Sequence, residues 1–435
     1  MKKSIFTTIV LLLSYSIVFG QISTNEKPMS FFRTDIPALE TNNMVARSFA
    51  QLDMQRIMQE DIEDEKLGIP PRFGYRFSVN YNLENSGEWI TLRDGGRLWR
   101  LVISSPGALS INLLYDKFWI PDGAKFWIYS SDHSHSIGAF TSFNNIGDRY
   151  NVRGFATDLI FSDQITLEYY LPSDVSDMGV ISISYVVHGY RNIRTSIPGF
   201  GQSDDCHVNV NCLEGQNWQR EKNAVALMIV GERIGCTGFL INNTAGDGRP
   251  LFMTAHHCLR RGNLLIYDVY IPGLRTNLDN WLFLWHYESA TCENPTVEPV
   301  RHSTGGGRLI ASNENSDFAL FDLSGNNSDP RNHPNVSPYF LGWDRSGNPG
   351  TGGVGIHHPF GDIKKISTYT VTPQSANREA FLAPNGYFWS VNWIQTVSGH
   401  GITEDGSSGS PLINSDRRVI GQLLGGTSDC AFYYY

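Results

Sequence analysis

The chain has 435 residues, of which 18% are charged and 12% aromatic, and its formal net charge is −9. A low charge fraction with many aromatic side chains excludes a mostly disordered protein. The acidic balance disfavours a nucleic-acid binder, which would need a basic face. At about 150 residues per domain, the length predicts two or three domains.

The first twenty residues have the layout of a secretory signal peptide. Lys2 and Lys3 precede an apolar stretch over residues 5–19, and the small residue Gly20 stands before a predicted cut ahead of Gln21. The stretch is short for an anchor, and no later run approaches the roughly 20 residues that a spanning helix needs. We expect a secreted protein, extracellular or periplasmic, with an uncleaved anchor as the alternative.

The cysteines divide the chain into two modules. All six lie after residue 205, and export permits them to form disulfides. Six cysteines allow fifteen pairings, so spacing alone does not choose among them. We expect a signal peptide over 1–20, a cysteine-free front module over 21–198 and a cross-linked back module over 199–435, with a polar linker at 194–205.

The front module consists of short β-type runs separated by turn signals. This pattern predicts a β-sandwich or a similar fold. A segment rich in Met, Glu and Asp at 44–66 predicts one helix or a flexible lead-in. The predicted strands lie at residues 75–79, 88–92, 98–103, 109–115, 125–130, 165–171 and 180–187.

The back module is also β-rich, with runs at 224–230, 237–241, 317–323 and 419–424. Its first chemical motif is Thr254-Ala-His-His-Cys258, which follows Cys236. This arrangement indicates an imidazole, that of His257, on a disulfide-linked turn. A general base needs such fixed placement, because a displacement of about 1 Å can cost a hundredfold in rate.

Two other interpretations of this motif remain. Any single histidine is more often structural than catalytic. A metal site is disfavoured because His256, His257 and Cys258 are adjacent, whereas zinc ligands are usually separated by about two to four residues. We therefore expect no metal.

The second and third motifs supply a serine and an acid. In Gly406-Ser-Ser-Gly-Ser-Pro411, glycines flank Ser408, so the backbone can turn tightly and direct two N–H groups at one point. Gly/Ser-rich turns are also common in linkers, but here a β-type run follows at once. Asp317 opens an alternating strand, a position that is often only a turn residue.

Taken together, the motifs run His257, Asp317, Ser408 and resemble the trypsin- and chymotrypsin-like serine peptidases. The back module is most similar to the bacterial lysyl endopeptidase group. That resemblance rests on its early cysteines and on the sequences at 355–367, 401–412 and 421–426, and it covers nearly all of 199–435. The front module resembles the pro-region of such enzymes only by position and β-richness.

The resemblance implies a mainly β fold, with a chymotrypsin-like double β-barrel preceded by a sandwich-like pro-region. It implies a secreted serine endopeptidase that acts on protein or peptide substrates through an acyl-enzyme. Ser408 would be the nucleophile, His257 the general base and Asp317 the group that orients the imidazole. The backbone N–H groups of Gly406 and Ser408 would form the oxyanion hole. The implied disulfides are Cys206–Cys430, Cys212–Cys292 and Cys236–Cys258.

Several nearby polar residues are interpreted as structural. Asp322 lies too far into its strand to replace Asp317. The others are expected to pack or to lie on the loop surface: His256, His357, His358, Glu404 and Asp405.

The sequence departs from the family where substrate specificity is decided. Leu424 replaces a histidine of the family, no acid follows Cys430, and Ile402 occupies the position where trypsin-type enzymes have an aspartate. A preference for Lys or Arg before the cut is therefore implied by resemblance alone. The final strand and helix of such folds are also missing, so we expect a C-terminally incomplete domain.

The joint between the modules gives a separate indication of specificity. No lysine lies between Lys125 and Lys222, whereas Arg191 and Arg194 lie just before the back module. Self-release at this joint would therefore require an enzyme that accepts Arg, and processing by another protease is the alternative.

A binding protein is the competing hypothesis. In it, the back module is a weak or inactive homologue, and Trp89, Trp99 and Trp127 of the front module stack on carbohydrate. Such tryptophans are more often core residues, and an intact triad argues against inactivity. No nucleotide, flavin or metal motif occurs, so no cofactor is expected, and the sequence does not define the oligomeric state.

Overall fold

The computed structural model describes residues 20–37, 46–66, 70–191, 200–261, 264–265, 278–376 and 387–430. The predicted signal peptide, apart from Gly20, lies outside these residues, as do residues 192–199 of the joint and the last five residues. The predicted mainly β class is confirmed.

The front module is a sandwich of two antiparallel-rich sheets. Alternate side chains of the two sheets fill one buried core, as expected for strands with a period of two. One sheet has, in spatial order, Arg47–Ser48, Arg97–Ser104, Gln164–Leu171, Lys125–Ser130 and Ser136–Phe140, with Glu88–Thr91 also paired to Arg97–Ser104. The other has Phe155–Ala156, Ser110–Trp119, Val180–Gly189 and Gly74–Asn82, and a small hairpin joins Gly147–Asp148 to Asn151–Val152.

All seven strands predicted in this module are present, but the helix is shorter than predicted. It spans Met54–Lys66, because the Asp53 side chain accepts a hydrogen bond from the Arg56 N–H (3.1 Å) and caps its first turn. Ahead of it, Arg47–Ser48 pairs with the sheet instead of extending the helix. Residues 38–45 lie outside the described part of the chain.

Two tryptophans that the sequence left as possible sugar platforms are core residues. Trp99 and Trp127 are at most 1% exposed. Their indole N–H groups donate to the backbone carbonyls of Ser86 (2.7 Å) and Glu26 (2.8 Å). Trp89 is half-buried against the same core. The hypothesis of exposed stacking residues was therefore wrong for two of the three.

The back module contains two larger sheets that share one core. The first has, in spatial order, His302–Gly305, Trp281–Trp285, Val225–Val230, Arg233–Ile241, Leu251–Ala255, Phe318–Asp322 and Arg308–Asn313, and Gly20–Gln21 from the N-terminal part of the chain pairs with His302–Gly305 at its edge. The second has Val208–Asn209, Lys365–Tyr369, Gly353–His357, Pro411–Asn414, Arg418–Gln422 and Gly342–Trp343. Two short pairs complete the strands: Arg260–Arg261 with Leu264–Leu265, and Gln374–Ala376 with Phe388–Ser390.

Short 3₁₀ turns occur in both modules, and three disulfides join distant parts of the back module. The turns are Met29–Phe31, Ser142–Asn144, Leu213–Trp218, Glu221–Ala224, His256–Leu259, Pro330–Asn332 and Pro359–Gly361. The disulfides are Cys206–Cys430, Cys212–Cys292 and Cys236–Cys258, with Cα–Cα distances of 5.7, 4.3 and 6.1 Å. They join the pairs that the resemblance implies.

Of the joint over 194–205, the structure describes residues 200–205, and the first of these contact the rest of the protein. Phe200 is 7% exposed and belongs to an apolar cluster that both modules share. The buried Asp362 carboxylate accepts hydrogen bonds from the N–H of Gly201 (2.8 Å) and the hydroxyl of Ser203 (2.7 Å). Within the linker expected over 194–205, residues 200–203 are therefore held against the rest of the protein, whereas Asp204 and Asp205 are exposed.

Within the described ranges, no helix is both long and apolar enough to cross a membrane.

A group of histidines in the back module makes stability depend on pH. The rings of His286 and His302 lie 6.1 Å apart between centroids, and those of His302 and His333 lie 4.8 Å apart. Burial, reinforced by nearby positive charge, lowers the pKa of His286 to about 4. Below about pH 6.5 the unfolded chain therefore binds protons that the folded chain does not, so stability is lost as the pH falls from there toward 4.

We expect His286→Asn to reduce the decrease in unfolding free energy that occurs as the pH falls. Asparagine tolerates the positive φ of 57° at this position, and the variant lacks one group that takes up a proton on unfolding. The slope of unfolding free energy against pH should fall by at most about 1.4 kcal/mol per pH unit between pH 6.5 and 4. Urea unfolding at pH 7, 6 and 5 measures it. The exposed His133, with φ 58°, gives the matched control His133→Asn, and equal slopes in the two variants would contradict the prediction.

Candidate active site

The structure brings the predicted imidazole and carboxylate into direct contact. His257 Nδ1 lies 2.7 Å from Asp317 Oδ2, and the His257 backbone N–H donates to Asp317 Oδ1 at 2.8 Å. The Asp317 side chain is 2% exposed, whereas that of His257 is 34% exposed. With Nδ1–H donating to the carboxylate, Nε2 is left as the acceptor of the ring.

Strand register explains why these two residues meet. Leu251–Ala255 runs antiparallel to Phe318–Asp322, and Ala255 stands opposite Phe318. The residues just after the first strand therefore face those just before the second. The turn His256–Leu259 then positions His257, and the disulfide from Cys258 to Cys236 ties this turn to the neighbouring strand.

Asp317 has an unusual backbone conformation that is held by both sheets. Its φ is 53°, a left-handed conformation uncommon for residues other than glycine. Its carbonyl accepts from the His256 backbone N–H at 2.8 Å and from Gln422 Nε2 at 2.6 Å. Gln422 ends a strand of the second sheet, so this bond links that sheet to the carboxylate residue. Gln422 lies in the family-like sequence 421–426, but no role was assigned to it from the sequence.

The serine loop requires its two glycines. Gly406 and Gly409 have φ angles of 86° and 81°. A Cβ on Gly406 would lie 2.9 Å from the His358 carbonyl oxygen, and one on Gly409 would collide with Thr254 Oγ1. The loop therefore packs closely against the strand that ends just before His257.

Thr237 anchors the serine loop to the first sheet. Its backbone N–H donates to the Ser408 carbonyl (2.9 Å), and its hydroxyl donates to the Gly406 carbonyl (2.9 Å) while accepting from the His358 N–H (3.0 Å). Thr237 follows Cys236, whose disulfide partner follows His257. Ser408 and the imidazole are thus fixed on the same short segment. The sequence contained Thr237 in a strand start but gave no sign of this role.

Two backbone N–H groups of the loop are available to a ligand. Neither that of Gly406 nor that of Ser408 has an acceptor among the described residues. The Phe360 N–H donates to the Asp405 carbonyl, and in a trans peptide the C=O and N–H groups point in opposite directions. The Gly406 N–H is therefore directed away from Phe360.

His357 and His358 support the loop from inside the domain. The His357 ring nitrogens contact Ser407 Oγ (2.8 Å) and Ser367 Oγ (3.0 Å). Burial lowers the pKa of His357 well below its usual value, so the ring stays neutral. His358 Nδ1 lies 2.9 Å from the Asp362 carbonyl. His257 is thus the histidine of this region that faces the site.

The three other acids that the sequence analysis considered near the site, Asp322, Glu404 and Asp405, each lie in a different environment. Asp322 pairs with Arg249 and Arg308 at the far end of the strand from Asp317. Asp405 is exposed, as expected. Glu404 is not a surface residue, because its side chain is 8% exposed and lies 3.0 Å from His207 Nε2. Burial also raises the pKa of Glu404.

One group of described residues has the composition of a metal site. Cys236, His257 and Cys258 bring their ligand atoms within 4.8 Å of one another. Both sulfurs are bonded to each other, however, so neither supplies the thiolate that a metal would need.

The fold is mainly β with the candidate site between two sheets, and similarity to known proteins adds that the protein is a peptidase. Residues 200–434 match the lysyl endopeptidase C-terminal domain family, and the chain belongs to this family. The resemblance predicted from the sequence is confirmed. With three disulfides, membership of this family indicates an extracellular enzyme that acts on proteins or peptides.

The similar proteins are themselves proteases. The chain is 28% identical over 376 residues to the lysyl endopeptidase of Pseudomonas aeruginosa. The aligned region covers 79% of this chain and 72% of the Pseudomonas protein. The active form of the Rv3671c protease from M. tuberculosis matches with a TM-score of 0.31 and 14% identity over 55% of this chain and 83% of that one. The inactive form of the Rv3671c protease matches with a TM-score of 0.27 and 15% identity. That match covers 47% of this chain and 78% of the Rv3671c chain.

We expect Gln422→Leu to lower kcat/KM on the order of tenfold, mainly through kcat, because Asp317 loses a donor that holds its carbonyl. Steady-state kinetics on a peptide substrate measures the change, and thermal unfolding checks that the fold is intact. Gln374→Leu is the matched control, because the Gln374 amide bonds only a local carbonyl at an exposed site. Equal kcat values for the two variants would contradict a positioning role.

Proposed function

We propose that this chain is the precursor of a secreted serine endopeptidase in which Ser408 attacks the scissile carbonyl. The observation that carries the proposal is the double contact of His257 with the buried Asp317 carboxylate, at 2.7 and 2.8 Å. It leaves His257 Nε2 free to take the proton of Ser408 as the bond to carbon forms. The same imidazolium then donates its proton to the leaving amine, and water reverses the sequence to release the acyl group.

The carboxylate contributes orientation and charge. Asp317 holds the imidazole in the tautomer that can accept a proton at Nε2, and it stabilises the imidazolium that forms. Because Asp317 is almost fully buried, water does not compete strongly for its oxygens.

The oxyanion would be bound by the backbone N–H groups of Gly406 and Ser408. Both N–H groups lack an acceptor within the described ranges, which supports this role. Removing one such donor from a serine peptidase site costs about 10²–10³ in kcat. The positive φ angles of Gly406 and Gly409 keep the loop in the conformation that exposes these donors.

The substrate preference is proposed from family membership. The Pseudomonas relative is a lysyl endopeptidase by name, and we propose a basic residue, Lys or Arg, before the cut. The buried Glu404 is engaged with His207, so the sequence offers no separate acid that we assign to the pocket.

The competing function is that of a weak or inactive homologue whose front module binds carbohydrate or a surface. The observation that favoured it was the set of three tryptophans, of which Trp99 and Trp127 are buried. The preserved contact between His257 and Asp317 also favours an enzyme.

The test is cleavage of a mixed peptide library by wild type and by Ser408→Ala, with the fragments identified by mass spectrometry. We expect cuts after Lys or Arg that disappear in the variant and persist in Ser415→Ala, which alters an exposed serine in the next turn. Cuts that survive in Ser408→Ala would refute the serine mechanism. Folded, processed protein with no Ser408-dependent cuts would favour the binding function, and cuts after other residues would refute the basic preference.

We further propose that the front module is a pro-region whose covalent link to the back module is broken by a cut after Arg194. The other candidate, Arg191, is 14% exposed at its side chain and lies 2.5 Å from the buried Asp61 carboxylate, which restricts its access to a protease site. Arg194 lies outside the described residues.

N-terminal sequencing of the secreted back module tests this assignment. We expect the module to begin at Thr195, Arg194→Gln to prevent that start, and the matched Arg191→Gln to leave it in place. A start far from any arginine would point instead to processing by a different protease.

A further inference from the structure

The outer face of the first sheet of the back module is apolar along two neighbouring strands. In Trp281–Trp285, alternate residues point into the module's own core, whereas Leu282 and Leu284 point the other way. Leu282 and Leu284 are nevertheless only 1% and 2% exposed. This strand is therefore buried on both of its faces.

The adjacent strand repeats the pattern. In Val225–Val230, Met228 and Val230 belong to the module's own core, and Leu227 and Ile229 belong to the outer cluster. Strands with apolar side chains on both faces occur where both faces are covered, because a solvated face normally alternates to polar residues. The sequence of the back module thus requires a partner on this face.

In this chain, the front module is that partner. One cluster, whose members are at most 7% exposed, contains residues of both modules. From the front module come Phe73, Leu114, Ala156, Leu159 and Val187, and from the back module Leu227, Ile229, Ile234, Leu282, Leu284, Tyr287 and Ile363, with Phe200 at the joint.

Backbone hydrogen bonds continue the contact beyond the apolar cluster. The Phe73 N–H donates to the Glu232 carbonyl at 3.0 Å, and the Ile234 N–H donates to the Pro71 carbonyl at 3.1 Å. At another edge, Gln21, the first residue after the predicted signal peptide, pairs in parallel with Ser303 of the back module. The modules therefore share strand pairing as well as side chains.

Charged groups at the edge of the cluster are matched between the modules. The Asp279 side chain of the back module is 4% exposed and accepts from Arg153 (2.5 Å) and from the Gly154 N–H (2.9 Å) of the front module. Arg233 of the back module pairs with Asp64 of the front module at 2.6 Å. Separation would remove these partners from charges that are largely buried.

From these contacts we infer that the front module stays bound to the back module after the joint is cut, as a lasting non-covalent subunit that covers its outer apolar face. None of the contacts named above involves His257, Asp317 or Ser408, so the bound front module is compatible with an open site. The inference rests on the proposed function only in assuming that the joint is cut; the interface itself is independent of catalysis.

The test uses the full chain with Ser408→Ala, in which the sample cannot digest itself, and with a recognition sequence for a site-specific protease placed within residues 192–199. After complete cutting, we expect both fragments to elute together in native size-exclusion chromatography, in a one-to-one ratio, and to separate only in denaturant. Separate elution, or aggregation of the back module with the front module free, would overturn the inference. Because no hydrolysis by this protein is measured, failure of the proposed function would not affect the result.

A pair of arginine variants tests whether the complex uses this interface. Arg153→Ala removes the partner of Asp279 across the interface, whereas Arg149→Ala removes an exposed pair with Asp177 inside the front module. After cutting, we expect the fragments of Arg153→Ala to dissociate about tenfold faster or more, and those of Arg149→Ala to dissociate at the rate of the parent. Equal rates for the two variants would show that the fragments are held by a different surface.

Discussion

The site depends on one short segment of the first sheet, Cys236 and Thr237. The disulfide of Cys236 holds the turn that carries His257, and Thr237 holds the serine loop through two hydrogen bonds. The disulfide closes a loop of 22 residues, for which chain entropy predicts about 3 kcal/mol of stabilisation. Since the turn that carries His257 and the serine loop are fixed on adjacent residues, their relative position depends little on the longer loops around them.

The motifs of the site could be predicted from sequence because they are local. Glycines around Ser408 and a cysteine after His257 are visible within a few residues, and the left-handed turns of Gly406 and Gly409 explain why glycine is needed. The role of Gln422, which lies in the family-like sequence 421–426, could not be found in this way. Gln422 donates to a backbone carbonyl 105 residues away, and a side chain that recognises backbone leaves no residue pattern at its partner.

The strands were predictable for a similar reason, since the alternation of apolar and polar side chains along a strand is visible within a few residues. What covers each face of a strand could not be predicted in this way. The polar sequence at 194–205 predicts a linker, yet the distant Asp362 accepts from the Gly201 N–H and the Ser203 hydroxyl. The sequence left Trp99 and Trp127 open to a core or a ligand-stacking role, and the structure places them in the core, where backbone carbonyls accept their indole N–H groups. In each case the partner lies far away in sequence.

The strands Val225–Val230 and Trp281–Trp285 are buried on both faces, and this links the folding of the back module to the position of the front module ahead of it in the chain. These strands form the middle of the first sheet, next to the strand that begins at Arg233 and carries Cys236. If their outer face were exposed to water, the sheet would present a contiguous apolar surface of the kind that drives association or aggregation. A front module made first and packed on that face removes this hazard while the sheet forms. Because the contact lies on the outer face, it can stabilise the strand that supports His257 and Ser408 without occupying the space between the two sheets.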